Sequence, residues 1–167
     1  MAARQDEFER IALPHTPSLL RVARRLTWDR ETAEDLVQET MLAAWRGFAR
    51  FRAGSNVRAW LFRILMNLFH ARGRKAQPAL MPLGAGDSRA DAKFAESAEV
   101  SEALDTLPLE QRTVLLLGVV EGFTCQEMSG ILEVPIGTVM SRMARAREAM
   151  RARLESRRTA KTAYGLS

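Results

Sequence analysis

The chain has 167 residues, enough for one domain or two small ones, and its 47% hydrophobic and 27% charged composition is that of a folded protein. With 25 Lys+Arg against 20 Asp+Glu the formal net charge is +5, and only Lys75, Lys93 and Lys161 are lysines. An arginine-dominated excess points to nucleic acid, because a guanidinium donates two hydrogen bonds at once to phosphate or base edges. The single cysteine, Cys125, excludes an internal disulfide framework and cannot build a metal cluster with only His15 and His70, so no cofactor is expected. Met1–Glu7 has no apolar signal core, and the longest apolar run, Val114–Val120, is too short to span a bilayer. No membrane insertion and a cytoplasmic location are expected.

Phe8–Leu26 has the spacing of a helix or helix pair, broken or restarted at Pro14 and Pro17. Trp28-Asp29-Arg30 is a short connection, with Asp29 placed to cap the next helix. In Ala33–Trp45 the residues Ala33, Leu36, Val37, Met41, Ala44 and Trp45 recur at three- and four-residue steps and line one helical face. Glu34, Asp35, Gln38 and Glu39 fall mostly on the other side. Two readings fit that acidic face: a solvated surface, or a contact for a protein partner.

The helix should end before Gly47. Phe48–Ser55 then reads as a loop of aromatics, arginines and small residues. Ser55 or Asn56 caps a further helix through about Ala71, with Val57, Leu61, Ile64, Leu65 and Leu68 on its apolar stripe. Phe48, Phe51, Trp60 and Phe62 interleaved with arginines supply rings for stacking and cations for phosphate, as unpaired nucleic acid requires. Phe62 and Phe69 suit a core better; Phe51 and Trp60 fit either role. Gln77–Phe94, with Pro78, Pro82, Gly84 and Gly86, breaks the periodicity and reads as a linker.

Ala98–Asp105 forms a short helix. Pro108 opens the next at its first position, running to about Glu121 and stopped by Gly122. Thr124-Cys125-Gln126-Glu127 is a capping box for a helix ending near Leu132. Glu133-Val134-Pro135 turns the chain into a last helix from Ile136 to about Leu154, cored by Val139, Met143, Ala146, Met150 and Leu154. This pair is a helix-turn-helix. From Glu99 to Pro135 the sole basic residue, Arg112, stands among seven acidic ones; from Ile136 to Ser167 eight basic residues face only Glu148 and Glu155. So abrupt a boundary at the start of a recognition helix fits duplex DNA. Enzymatic function is not expected, since no Glu-x-x-His pair, Gly-Lys phosphate loop or nucleophile beside a histidine occurs.

With these residues assembled, the chain resembles the extracytoplasmic-function (ECF, group IV) sigma factors of the sigma-70 family. Asp29–Trp45 resembles the conserved part of region 2, and Asn56–Ile64 its promoter-melting segment. Leu107–Arg112 and Pro135–Arg142 resemble region 4. The resemblance implies an all-α fold of two small helical domains joined by a flexible linker: region 2 over 1–76, linker 77–97, region 4 with its helix-turn-helix over 98–155, and a frayed basic tail over 156–167. It implies binding to core RNA polymerase, through the β′ coiled coil and the β flap, and to promoter DNA, with an anti-sigma factor as a further partner. Asp35, Gln38, Glu39 and Leu42 would meet polymerase. Phe51, Arg52, Asn56, Arg58, Trp60 and Arg63 would recognise and open the minus-ten element around a flipped base. Thr138, Ser141, Arg142 and Arg145 would read the minus-thirty-five element. A helix-turn-helix regulator acting without polymerase is the alternative, and it leaves the acidic face and the aromatic segment without a role.

Overall fold

The computed structural model describes residues 1–75 and 98–165, all helices and the turns between them. The linker expected over 77–97 lies outside the described residues. The chain divides into two compact units, the first holding described residues 1–75 and 130–133, the second 98–129 and 134–165.

In the first unit α1 (Ala2–Ala12) leads through a 3-10 turn, Leu13–His15, into α2 (Thr16–Thr27). Pro14 and Pro17 sit at the starts of these last two segments, where a missing N–H leaves no helical bond unmade. Trp28 closes α2 with φ 61°, its amide donating to the Arg24 carbonyl at 3.1 Å. A left-handed tryptophan is unusual, and the connection depends on it.

Asp29 then caps α3 (Arg30–Gly47): its carboxylate accepts from the Thr32 amide at 2.8 Å and from the Thr32 hydroxyl. Ala33, Leu36, Val37 and Ala44 are buried along α3, between the apolar faces of α2 and α4. Each leucine withdrawn from water in this way contributes about 2 kcal/mol. Thr40 lies on the same face and is fully buried, its hydroxyl satisfied by the Leu36 carbonyl at 2.8 Å.

The helix does not stop short of Gly47 but includes it, and a 3-10 turn, Phe48–Arg50, follows. Phe48 is buried, so it anchors the turn instead of waving in a loop. Asn56 caps α4 (Val57–Lys75), accepting from the Ala59 amide at 3.0 Å. That helix runs past the expected end at Ala71 and buries Leu61, Phe62, Leu65 and Met66.

The second unit begins with α5 (Ala98–Asp105) and α6 (Leu109–Leu115). Pro108 is the N-cap of α6, not its first helical residue. After Leu115 the backbone widens into a π-helical turn, Leu116–Val120, before Gly122 reverses the chain at φ 74°. Arg112, isolated in an acidic stretch of sequence, is buried and donates to the Leu107 carbonyl at 3.0 Å. α7 (Cys125–Leu132) carries the expected capping box, with the Thr124 amide donating to Glu127 at 2.8 Å and the Glu127 amide to Thr124 at 3.1 Å.

Ser129 fastens the following turn, its hydroxyl donating to the Val134 carbonyl at 2.6 Å. α8 (Ile136–Ala163) does not end near Leu154, and residues 156–163 continue it where a frayed tail was expected. Ion pairs Arg157–Glu102 and Lys161–Glu99 tie this extension to α5. Val114, Leu117, Met128, Val139, Met143 and Ala146 are buried within this unit. No described helix is long and apolar enough to cross a membrane.

Candidate nucleic-acid interface

Three surfaces carry the residues singled out from the sequence. Burial of one face of α3 fixes the other outward, so Asp35, Gln38, Glu39 and Leu42 are all exposed, and Leu42 stands 54% accessible despite being apolar. The acidity of this face is partly spent within the unit. Glu39 pairs with Arg72 of α4 at 2.9 Å, and Glu34 with Arg30 at 2.8 Å.

The second surface lies around the α3–α4 turn, where five rings follow one another. Phe8 meets Trp45 and Phe48 edge-on, each at 5.3 Å; Phe48 stacks on Phe51 at 6.0 Å; and Phe51 meets Trp60 at 4.7 Å. Phe8 and Phe48 are buried and hold the inner part of the row, whereas Phe51 and Trp60 are half-buried at its outer end. A ring fixed by a ring behind it presents a face for stacking at little entropic cost. Arg52 is exposed on the turn, and Asn56 is exposed while capping α4.

Arg58 and Trp60 do not share a face. Two residues along a helix turn the side chain by about 200°, and Arg58 lies over the Phe62 ring at 5.8 Å, away from the Trp60 side. Trp60, Arg63 and Asn67 do share one, at helical steps of three and four, and Arg63 and Asn67 are exposed. Asn67 was passed over in the sequence because a lone asparagine in an apolar helix carries no signal until the buried stripe is known.

On α8, Ser141 and Arg145 are exposed one turn apart, and Thr138 is half-buried one turn before Ser141. Arg142 is turned back toward α6, where Glu110 accepts from it at 3.1 Å. Ile136 and Met140 are apolar and exposed on the same first turns. A helix with hydroxyls and a cation on an open face, fixed by a capped helix before it, has the form that enters a major groove.

Residues 12–78 match Sigma-70 region 2 and residues 97–150 match Sigma-70, region 4. The ECF RNA polymerase sigma factor EcfG of Rhodopseudomonas palustris is 36% identical over 148 residues, covering 85% of this chain and 82% of EcfG. The chain belongs to the ECF sigma factors. It therefore serves in transcription initiation, binding core RNA polymerase and directing it to promoters; family members are regulators and not enzymes. The fold agrees too: the sigma factor RpoE, solved with the anti-sigma factor NepR from Bartonella quintana, superposes with a TM-score of 0.71 at 31% identity, over 89% of this ECF factor and 97% of RpoE. CnrH, solved with the cytosolic domain of CnrY, gives 0.69 at 28% identity, over 91% and 90%.

Proposed function

We propose that this ECF sigma factor, of group IV, divides its work among the three surfaces. Residues 1–76 act as region 2, 98–155 as region 4, and 77–97 as the connection between them. The exposed face of α3, through Asp35, Gln38, Glu39 and Leu42, docks on the β′ coiled coil of core polymerase, and the second unit meets the β flap. Phe51, Arg52, Asn56, Trp60 and Arg63, joined by Asn67, hold an unpaired base of the minus-ten element. Arg58, on another face of α4, contributes to the phosphate field. Thr138, Ser141 and Arg145 read the minus-thirty-five element, with Arg142 joining them when it leaves Glu110.

One observation carries the reading: the half-buried Phe51–Trp60 pair, 4.7 Å apart at the end of a row of packed rings, in a chain that matches both sigma regions in order. Unpairing costs a few kcal/mol, which capture of the exposed base offsets. No covalent step is asked of the protein; polymerase supplies the catalysis, in the cytoplasm. Because RpoE was solved with the anti-sigma factor NepR, an anti-sigma factor is proposed here also.

The test is separation of defects. Trp60→Ala should leave binding to duplex upstream DNA intact and abolish permanganate reactivity of the melted bases; Arg145→Ala should do the reverse at the binding step. Normal melting by Trp60→Ala would refute the base-capture role. A helix-turn-helix regulator without polymerase docking is disfavoured, because the region 2 match covers residues such a protein would not need.

A further inference from the structure

The first turns of α8 have two flanks of different chemistry. Two residues along a helix turn a side chain by about 200°, so Thr138 and Arg142 lie on the opposite side of α8 from Met140. Ser141 and Arg145 are exposed between the two flanks. The Met140 flank is apolar: Met140 is 56% exposed, and Ile136, four residues before it, is 41% exposed. Long side chains on a helix lean toward its N-terminus, over the residues three and four before them. For Met140 these are Gly137 and Ile136, and a Cβ at Gly137 would meet nothing within 4 Å. Met140 therefore has open space on the side of the helix N-terminus, the end that enters a major groove.

The chemistry of this flank narrows what it meets there. Neither side chain donates a hydrogen bond, and the thioether sulfur is only a weak acceptor. The polar edges of the bases thus give this pair little to bind. The groove offers one apolar group, the C5 methyl of thymine, which cytosine, adenine and guanine lack. Methionine suits such a contact, because its unbranched, polarisable chain adjusts to the position of the methyl.

We propose that Met140, backed by Ile136, selects thymine in the upstream promoter element by packing against its C5 methyl group. The proposal rests on the reading of α8 as the helix that enters the minus-thirty-five element. Ser141 and Arg145 address polar edges and phosphates; Met140 adds an apolar contact that distinguishes T·A from the other base pairs at one position.

The test selects duplex DNA from a random pool with holoenzyme carrying the full chain. Each thymine of the enriched upstream element is then replaced by deoxyuridine, which removes only the C5 methyl. Wild type should lose roughly fourfold in affinity at one or two thymines, the worth of one buried methyl group. Met140→Ala should bind the unmodified element more weakly by about that factor and lose nothing further at those thymines, so that the two changes are not additive. Met140→Leu should keep the methyl preference. The proposal is overturned if deoxyuridine costs wild type nothing at every thymine, if the enriched element holds no A·T pair, or if the preference survives in Met140→Ala. Its loss in Met140→Leu would also overturn the apolar contact, in favour of the sulfur as acceptor. If holoenzyme enriches no upstream element, the reading of α8 falls and the methyl contact with it.

Discussion

The Glu39 carboxylate on α3 is held at 2.9 Å by the Arg72 guanidinium on α4, while Asp35, one turn earlier on the same helix, is exposed. The acidic face is therefore not uniform. A partner approaching it meets a charge at Asp35 and a pair already half-neutralised at Glu39. Asp35→Arg should lower affinity for core polymerase by about tenfold or more, with the loss shrinking at high salt. Glu39→Gln should lower it by no more than about threefold and change stability by less than about 1 kcal/mol, as for other exposed pairs. Equilibrium binding to core polymerase checks both.

Asn56 has two duties, and they can be parted. Its side chain caps α4, so Asn56→Ala should cost about 1 kcal/mol of stability. Asn56→Asp keeps an acceptor at the cap and should leave thermal stability near wild type, while its charge repels the promoter strand and impairs melting. Equal melting by Asn56→Asp and wild type would confine this residue to the cap.

Glu110 restrains Arg142 at 3.1 Å, an exposed acid holding a half-buried base on α8. Glu110→Gln should tighten binding to upstream duplex by a few-fold, because it frees a cation and removes a repulsive charge. Arg145→Ala should weaken it by about 1–3 kcal/mol. Fluorescence anisotropy with duplex DNA at two salt concentrations distinguishes the effects.

Acid should destabilise the chain in two windows. Burial, and then the Arg58 charge, hold the His15 imidazole below its ordinary 6.5, so the folded state favours neutral His15. Stability is lost as pH falls below that value and the unfolded chain binds the proton more readily. His15→Gln should flatten the curve between about pH 7 and 5. Asp29 and Glu99 are depressed, chiefly by hydrogen bonds from Thr32 and Lys161. Their contributions are present above the ordinary carboxylate range and fade as pH drops through it. Asp29→Asn, which keeps the cap without titrating, should reduce the lower transition in a chemical denaturation series.

Signals confined to one helical turn were legible in the sequence. The Asp29 cap and the Thr124–Glu127 box involve partners three residues apart, so residue types alone specify them. The buried stripe of α3 followed from period alone, yet Thr40 on that stripe was missed because its hydroxyl is satisfied by its own helix. Long-range partners were hidden. The extension of α8 past Leu154 has no apolar period and is tied to α5 by pairs 55 and 62 residues apart in sequence. The π turn at Leu116–Val120 likewise leaves no mark in residue types. Within the site, Phe51 and Trp60 could be named but not joined.

The most direct measurement is in vitro transcription with purified core polymerase and this chain on templates with randomised upstream sequence. Transcripts should depend on the chain, start downstream of two short enriched elements at fixed spacing, and be lost with Asp35→Arg or Trp60→Ala. Transcription no greater than that of core polymerase alone, or enrichment of the upstream element without initiation, would contradict it.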